Sequence, residues 1–203
     1  MIVLFDSPPK DALTDLGAEA GLPPGQLLTP LTRYTNRAVE EGLPWAIDNG
    51  AFAGFNPKAW RSLLAREYEN RASCLFVAMP DIVGSARRTL ELFWAYHGET
   101  MEWPRALVAQ DGIGDLVIPW SDIVAVFIGG TDAFKTSADA RHVILTAKAL
   151  GKHTHVGRVN SADRFKWCVE LGVDTIDGSG ISQYSHMRRK LAGDPDQTDM
   201  EFA

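Results

Sequence analysis

Polar residues stand in one recurrent place along this chain, each just after a short apolar run. Asp48 follows Trp45-Ala46-Ile47. Asp81 follows Leu75–Met79 and Pro80. Gln110 and Asp111 follow Ala106–Ala109. Gly129-Gly130 follows Ile123–Ile128, Gly157-Arg158 follows Thr154-His155-Val156, and Asp177 follows Val173–Ile176. An aspartate in such a place is ordinarily a helix N-cap. Consecutive units ending in Asp, Gln or Gly-Gly are harder to assign to capping alone. As chemistry, Asp48 and Asp177 can divide the roles of nucleophile and acid/base. Asp81 with the Gln110 amide can read the donor and acceptor edge of a flat heterocycle. Gly129 and Gly130 let the backbone come close to it, and Phe52, one turn past Asp48, can stack on its face. The set points to a glycosidic bond to a nucleobase.

Other chemistries find less support in the residues. The cysteines, Cys74 and Cys168, stand in no CxxC pattern and read as buried thiols. Of the five histidines, only His153 and His155 are close. At i, i+2 they share one strand face, without a third ligand nearby, so no metal is expected. No cofactor is expected either. The net charge of −6 argues against nonspecific coating of nucleic acid. It leaves room for a local basic face, at Arg158 with Arg164 and Lys166 or at Arg188-Arg189-Lys190, although each taken alone reads as solvated surface charge. No apolar run is long enough to span a membrane. The N-terminal segment lacks the pattern of a secretory signal, so the expected location is the cytoplasm.

These residues need a scaffold. The apolar runs are short, nearly continuous and bounded by Gly, Pro or Asp, as parallel strands buried on both faces are. Ile2–Phe5 and Gln26–Thr29 are further strand candidates. Between the runs lie helical patterns over Pro57–Arg71, Gly84–Tyr96, Ser137–Leu150 and Ser161–Leu171. Asn56, Ser137 and Asn160 are the cap candidates and Gly151 and Gly172 the stops. The alternation predicts an α/β chain folded as a single-domain TIM-like (β/α)8 barrel. No GxGxxG follows the first strand, which weakens a dinucleotide fold. The barrel is expected to occupy 1–193, with 194–203 a C-terminal tail. Only short segments follow Asp177, so Ile2–Phe5 is expected to help close the barrel. Active sites of such barrels lie at the C-terminal strand ends, where the polar residues above fall.

At these same residues the chain resembles the tRNA-guanine transglycosylases, and among them the small DNA-directed 7-deazaguanine transglycosylases of phages and bacterial islands. The resemblance covers about 45–180. Asp48-Asn49-Gly50-Ala51-Phe52 is similar to the family's Asp-Ser-Gly-Gly-Phe/Tyr motif, with Asn49 and Ala51 in place of Ser and Gly. Met79-Pro80-Asp81, Val108-Ala109-Gln110-Asp111-Gly112, Ile128-Gly129-Gly130 and Gly172–Asp177 follow in the family's order. The segments Gly130–Lys135 and His155–Ser161 resemble the DNA-directed branch. The family's zinc subdomain has no counterpart, since no cysteine follows Asp177.

The resemblance implies a glycosyltransferase that replaces guanine in DNA with a 7-deazaguanine through a covalent glycosyl-Asp177, with Asp48 as acid and base. It implies base-binding roles for Phe52, Asp81, Gln110, Gly129, Gly130 and Gly157. The implied contacts to nucleic acid are Lys135, Arg158, Arg188, Arg189 and Lys190. The partners implied are DNA ahead of tRNA and a 7-deazaguanine base, inside a bacterium or a phage-infected host; a homodimer or an accessory protein stays open. The alternatives are exchange on tRNA, a metal-free barrel hydrolase of a nucleoside or glycoside, and a degenerate barrel that binds a nucleobase or nucleic acid.

Overall fold

Short β-branched and apolar runs with both faces covered pair as parallel strands, and here they close on themselves. The computed structural model describes residues 1–6, 12–31 and 35–193; the expected tail at 194–203 lies outside them. The strands are β1 (Ile2–Phe5), β2 (Pro24–Leu28), β3 (Trp45–Ile47), β4 (Cys74–Ala78), β5 (Arg105–Ala109), β6 (Ala125–Ile128), β7 (His153–Val156) and β8 (Thr175–Asp177). They form a closed barrel in sequence order with every neighbouring pair parallel. β1 joins β8 through Ile2–Thr175, Val3–Ile176 and Leu4–Asp177, so the N-terminal strand does seal the barrel.

The helices are α1 (Leu13–Ala20), α2 (Arg37–Glu41), α3 (Pro57–Glu67), α4 (Ala86–Tyr96), α5 (Asp132–Lys135), α6 (Ala138–Ala149), α7 (Ala162–Glu170), α8 (Ser179–Gln183) and α9 (Ser185–Leu191). Asn56 and Ser137 cap α3 and α6 by accepting from Ala59 N and Ala140 N. Ser161, rather than Asn160, caps α7 by accepting from Arg164 N. The helical pattern expected to run to Arg71 stops at Glu67 and tightens into a 3-10 segment, Tyr68–Ser73. The link from β5 to β6 holds only 3-10 turns, Ile113–Asp115 and Trp120–Asp122.

Strand alternation sorts the side chains into two layers. Val3, Phe5, Trp45, Ile47, Val77, Met79, Leu107, Val126, Ile128, Val156 and Ile176 point outward under the helices. Leu4, Leu27, Ala46, Phe76, Ala78, Ala106, Val108, Ala125 and Phe127 fill the barrel interior. The interior alanines leave room for the rings of Phe76, Phe127 and His155, which pack tilted or edge-on at 4.4–6.2 Å between centroids.

Candidate active site

The inward-facing parity of the strands runs on past their C-terminal ends. Two residues beyond Leu4, Leu27, Ala46, Val108, Phe127, His155 and Thr175 stand Asp6, Thr29, Asp48, Gln110, Gly129, Gly157 and Asp177. All of them line one cavity of about 240 Å³ at the mouth of the barrel. Asn49, Phe52, Asp81, Gly130, Lys135, Arg158 and Ser179 complete its wall. The structure thus brings together Asp48, Asp81, Gln110 and Asp177 as the sequence indicated. It leaves Arg188, Arg189 and Lys190 outside the cavity, on α9. Arg188 is buried against α1, where its Nε donates to Glu19 at 2.6 Å and its Nη1 to the carbonyls of Ile181 and Ser182.

Asp177 is held at both of its carboxylate oxygens. Its Oδ1 accepts from the Arg158 N–H at 2.9 Å and its Oδ2 is 3.0 Å from His155 Nε2. Behind it the chain of contacts continues into the barrel. Thr175 Oγ1 lies 2.9 Å from His155 Nδ1 and 2.9 Å from His153 Nε2. A hydroxyl has one proton, so it can donate to only one of the two rings. With a neutral His155 donating its Nε2–H to the Asp177 carboxylate, His155 Nδ1 is bare and takes the Thr175 proton. Thr175 then accepts from His153 Nε2–H. Desolvation depresses the His153 pKa to about 4, against the charge of Asp174. The pair weighed in the sequence as a remote metal possibility is instead a hydrogen-bonded ladder that orients Asp177.

Asp48 faces the same space with weaker support. Its Oδ1 accepts from Asn49 N at 2.8 Å. Burial, then the charges of Asp177 and Asp81, push its pKa up from 3.8 to about 7. Asp81 is raised to about 6, chiefly by burial, against two hydrogen bonds that favour its charged form. Those bonds come from Asn49 Nδ2 at 2.7 Å and Gln110 Nε2 at 2.5 Å. Asn49 Nδ2 also donates to Met79 O, its Oδ1 accepts from Ala51 N, and Gln110 Oε1 accepts from Gly84 N at 2.8 Å. Asn49, Asp81 and Gln110 thus form one hydrogen-bonded unit in the cavity wall. Each Asp81 oxygen keeps a lone pair, and the Gln110 amide a second proton.

Other expected roles are taken by the protein itself. The Arg158 guanidinium sits 3.8 Å over the Phe52 ring at the mouth, where Phe52 is 68% exposed. A Cβ on Gly129 would come within 2.8 Å of Gln110 Nε2 and Val108 Cγ1, so that glycine lets the Gln110 amide lie flat. A Cβ on Gly157 would come within 2.6 Å of the Phe127 ring and 3.4 Å of Asp177 Oδ2. Lys135 is buried, donates from Nζ to Gly130 O at 3.1 Å and lies 3.8 Å from Asp132 Oδ1. Among the described residues no group of three or more His, Cys, Asp or Glu is placed to hold a metal ion. No helix among them is long and apolar enough to cross a membrane. Both cysteines are buried and free, and burial pushes the Cys168 thiol up to about 12.

Sequence reasoning missed His155, Thr175 and Asn49 as site residues. The signal was present in their parity: His153 and His155 on β7 and Thr175 and Asp177 on β8 are paired i, i+2 sets. What it lacked was the β7–β8 register, which sets His155 beside Thr175.

No family model matches the chain, and no curated protein matches it. Among solved structures it is similar to the crystal structure of an HpcH/HpaI aldolase from Desulfitobacterium hafniense DCB-2. That likeness has a TM-score of 0.51 and 16% identity, and covers 88% of this chain and 85% of that one. At that identity it shows the barrel fold. The expected membership of the tRNA-guanine transglycosylases is corrected by these findings: no sequence family supports it, and the structural likeness is to a different superfamily. With it fall the guanine exchange in DNA, the 7-deazaguanine substrate and the glycosyltransferase activity that rested on it. The physical reason is that strand-end Asp, Gln and Gly-Gly are what any polar barrel mouth presents, so short motifs in the right order report the fold before the family.

Proposed function

We propose that the chain is a barrel enzyme that works by proton transfer on a small molecule bearing a planar, amide-like edge. Asp48 is the group that gives and takes the proton. The observation that carries this is a carboxyl raised to about 7 inside the mouth cavity, beside a second carboxylate whose own donors hold it in place. Two carboxyls whose surroundings differ in this way divide into a proton carrier and a charge-bearing partner. A carrier near 7 is half-protonated at neutral pH, where it serves as acid or base with equal ease. Asp177, fixed by His155 and the Arg158 N–H, supplies negative charge where positive charge develops on the substrate. Asp81 and Gln110, an acceptor beside a donor, fit the N–H and C=O of a lactam or primary amide. Phe52 and Arg158 form the rim over the entrance.

The test is substrate discovery with two variants as controls. The purified protein, Asp48→Asn and Asp177→Asn are each incubated with a small-molecule extract, and consumption is followed by mass spectrometry. The expected outcome is a conversion made by the wild-type protein and slowed at least about 10²-fold in Asp48→Asn. Its rate should turn over near pH 7. A conversion that Asp48→Asn makes as fast as the wild-type protein overturns the reading.

A further inference from the structure

The wall of the cavity that follows β6 and β7 has a use that the proton-transfer reading leaves open. Lys135 is 2% exposed and lines the cavity. A lysine is rarely buried without a partner that accounts for it. Of its three N–H donors, one meets Gly130 O, and the nearest ion-pair partner, Asp132, is 3.8 Å away with its own side chain 75% exposed. Arg158 also lines the cavity, held by its stack on Phe52. Arg164 stands behind, its Nη1 donating to Arg158 O and its Nη2 to Asp132. Desolvation, then the positive charges of Arg158 and Arg164, lower the Lys135 pKa from its ordinary value, while Asp132 and Asp177 oppose that. An ammonium crowded by two guanidinium groups and short of acceptors gains from an anion in the space before it.

We infer that Lys135, with Arg158 beside it, is an anion subsite that selects substrates carrying a carboxylate in addition to the amide-like edge. The inference rests on the proposed reading for that edge and stands by itself for the anion. A carboxylate suits the place better than a larger anion: the cavity is small, and a lysine presents a point charge rather than a fork. The substrate class is then a small ring or planar molecule with a lactam or amide at one end and a carboxylate at the other. Its amide would meet Asp81 and Gln110 and its carboxylate Lys135.

Three probes separate the claims by calorimetric titration at low salt: 2-pyridone, 6-oxo-1,6-dihydropyridine-3-carboxylate, which is the same lactam with a carboxylate opposite, and benzoate. Each is titrated into the full chain, Lys135→Met and Lys135→Arg. Removing a desolvated, crowded cation leaves a methionine of similar length, so Lys135→Met is expected to fold. The expected result is that the lactam carboxylate binds roughly tenfold or more tighter than 2-pyridone. Lys135→Met should erase that advantage without changing 2-pyridone binding, and Lys135→Arg should keep part of it. Binding of benzoate that is lost in Lys135→Met, with no binding of 2-pyridone, upholds the anion subsite and overturns the amide-edge reading. Equal binding of the two lactams, unchanged in Lys135→Met, overturns the subsite and leaves the edge. Failure of both carboxylates to bind overturns the subsite outright.

Discussion

Asp48 and Asp177 are the same residue type at equivalent strand ends, and what separates them is their donors. Asp177 has a backbone N–H and an imidazole, whereas Asp48 has backbone contacts alone and two negative neighbours. A carboxyl whose folded pKa is raised holds its proton more tightly folded than unfolded. Its ionised form is therefore a burden on the fold as pH rises from about 4 through about 7. Asp48→Asn should then stabilise the protein by about 2–4 kcal/mol at pH 8 and by little at pH 4, as read by denaturant unfolding at the two pH values. The opposite trend would show that Asp48 is not buried as a neutral acid. At the same scale, the Thr175 hydroxyl fixes the tautomers of both histidines. ¹⁵N spectra of the imidazoles should show His155 as the Nε2–H form. In Thr175→Val that single form should give way to a mixture, with a loss of about 1–3 kcal/mol from the unmet ring nitrogens. These residues were only half legible beforehand. The types and the inward parity of Asp48, Gln110 and Asp177 could be read directly. The ladder could not, because it depends on which strand lies beside β7 and in what register.

Among the elements, β7 carries the most of the site in the fewest residues. His153 and His155 face inward from it, Gly157 ends it under the Phe127 ring, and Arg158 follows at φ 59°. That left-handed backbone in a non-glycine residue is uncommon. Here it aims the Arg158 N–H at Asp177 while its guanidinium stays on Phe52. Gly157→Ala should displace Phe127, cost about 1–3 kcal/mol by overpacking and weaken ligand binding in the cavity. Chemical-denaturation curves and a titration on the same variant check both. The strand runs were legible as β-structure because both their faces are apolar. Boundaries were less so: Tyr68–Ser73 keeps a helical pattern yet winds as 3-10, since the chain must tighten there to enter β4. Arg188-Arg189-Lys190 read as a basic face because sequence shows charge and not partners. In the fold, Arg188 serves the α1–α9 contact through Glu19.

For the molecule as a whole, the barrel was the most legible feature and the family the least. Eight strands in order follow from repeated buried runs, and that regularity is shared by proteins of many activities. Motif order along such a chain repeats the order of the strands, so it adds little independent information on ancestry. Closure makes a global prediction. Val3 N donates to Pro23 O in the β1–β2 seam at 3.0 Å. Val3→Pro removes that donor from a strand paired on both sides and should cost about 3 kcal/mol or more. Calorimetry should then show a broadened or split transition in place of a single sharp one.

The seam between β1 and β8 also sets a clock for synthesis. β1 is made before the other strands of the barrel, and its partner β8, with Asp177, comes about 170 residues later in the chain. At usual elongation rates that is an interval of roughly nine to thirty-five seconds. Throughout it, one edge of β1 lies unpaired, an invitation to the wrong neighbour. The cavity, with Asp6 at one side of the seam and Asp177 at the other, comes into being only when the interval ends. Until β8 is made, the barrel is thus an open ring with no completed cavity.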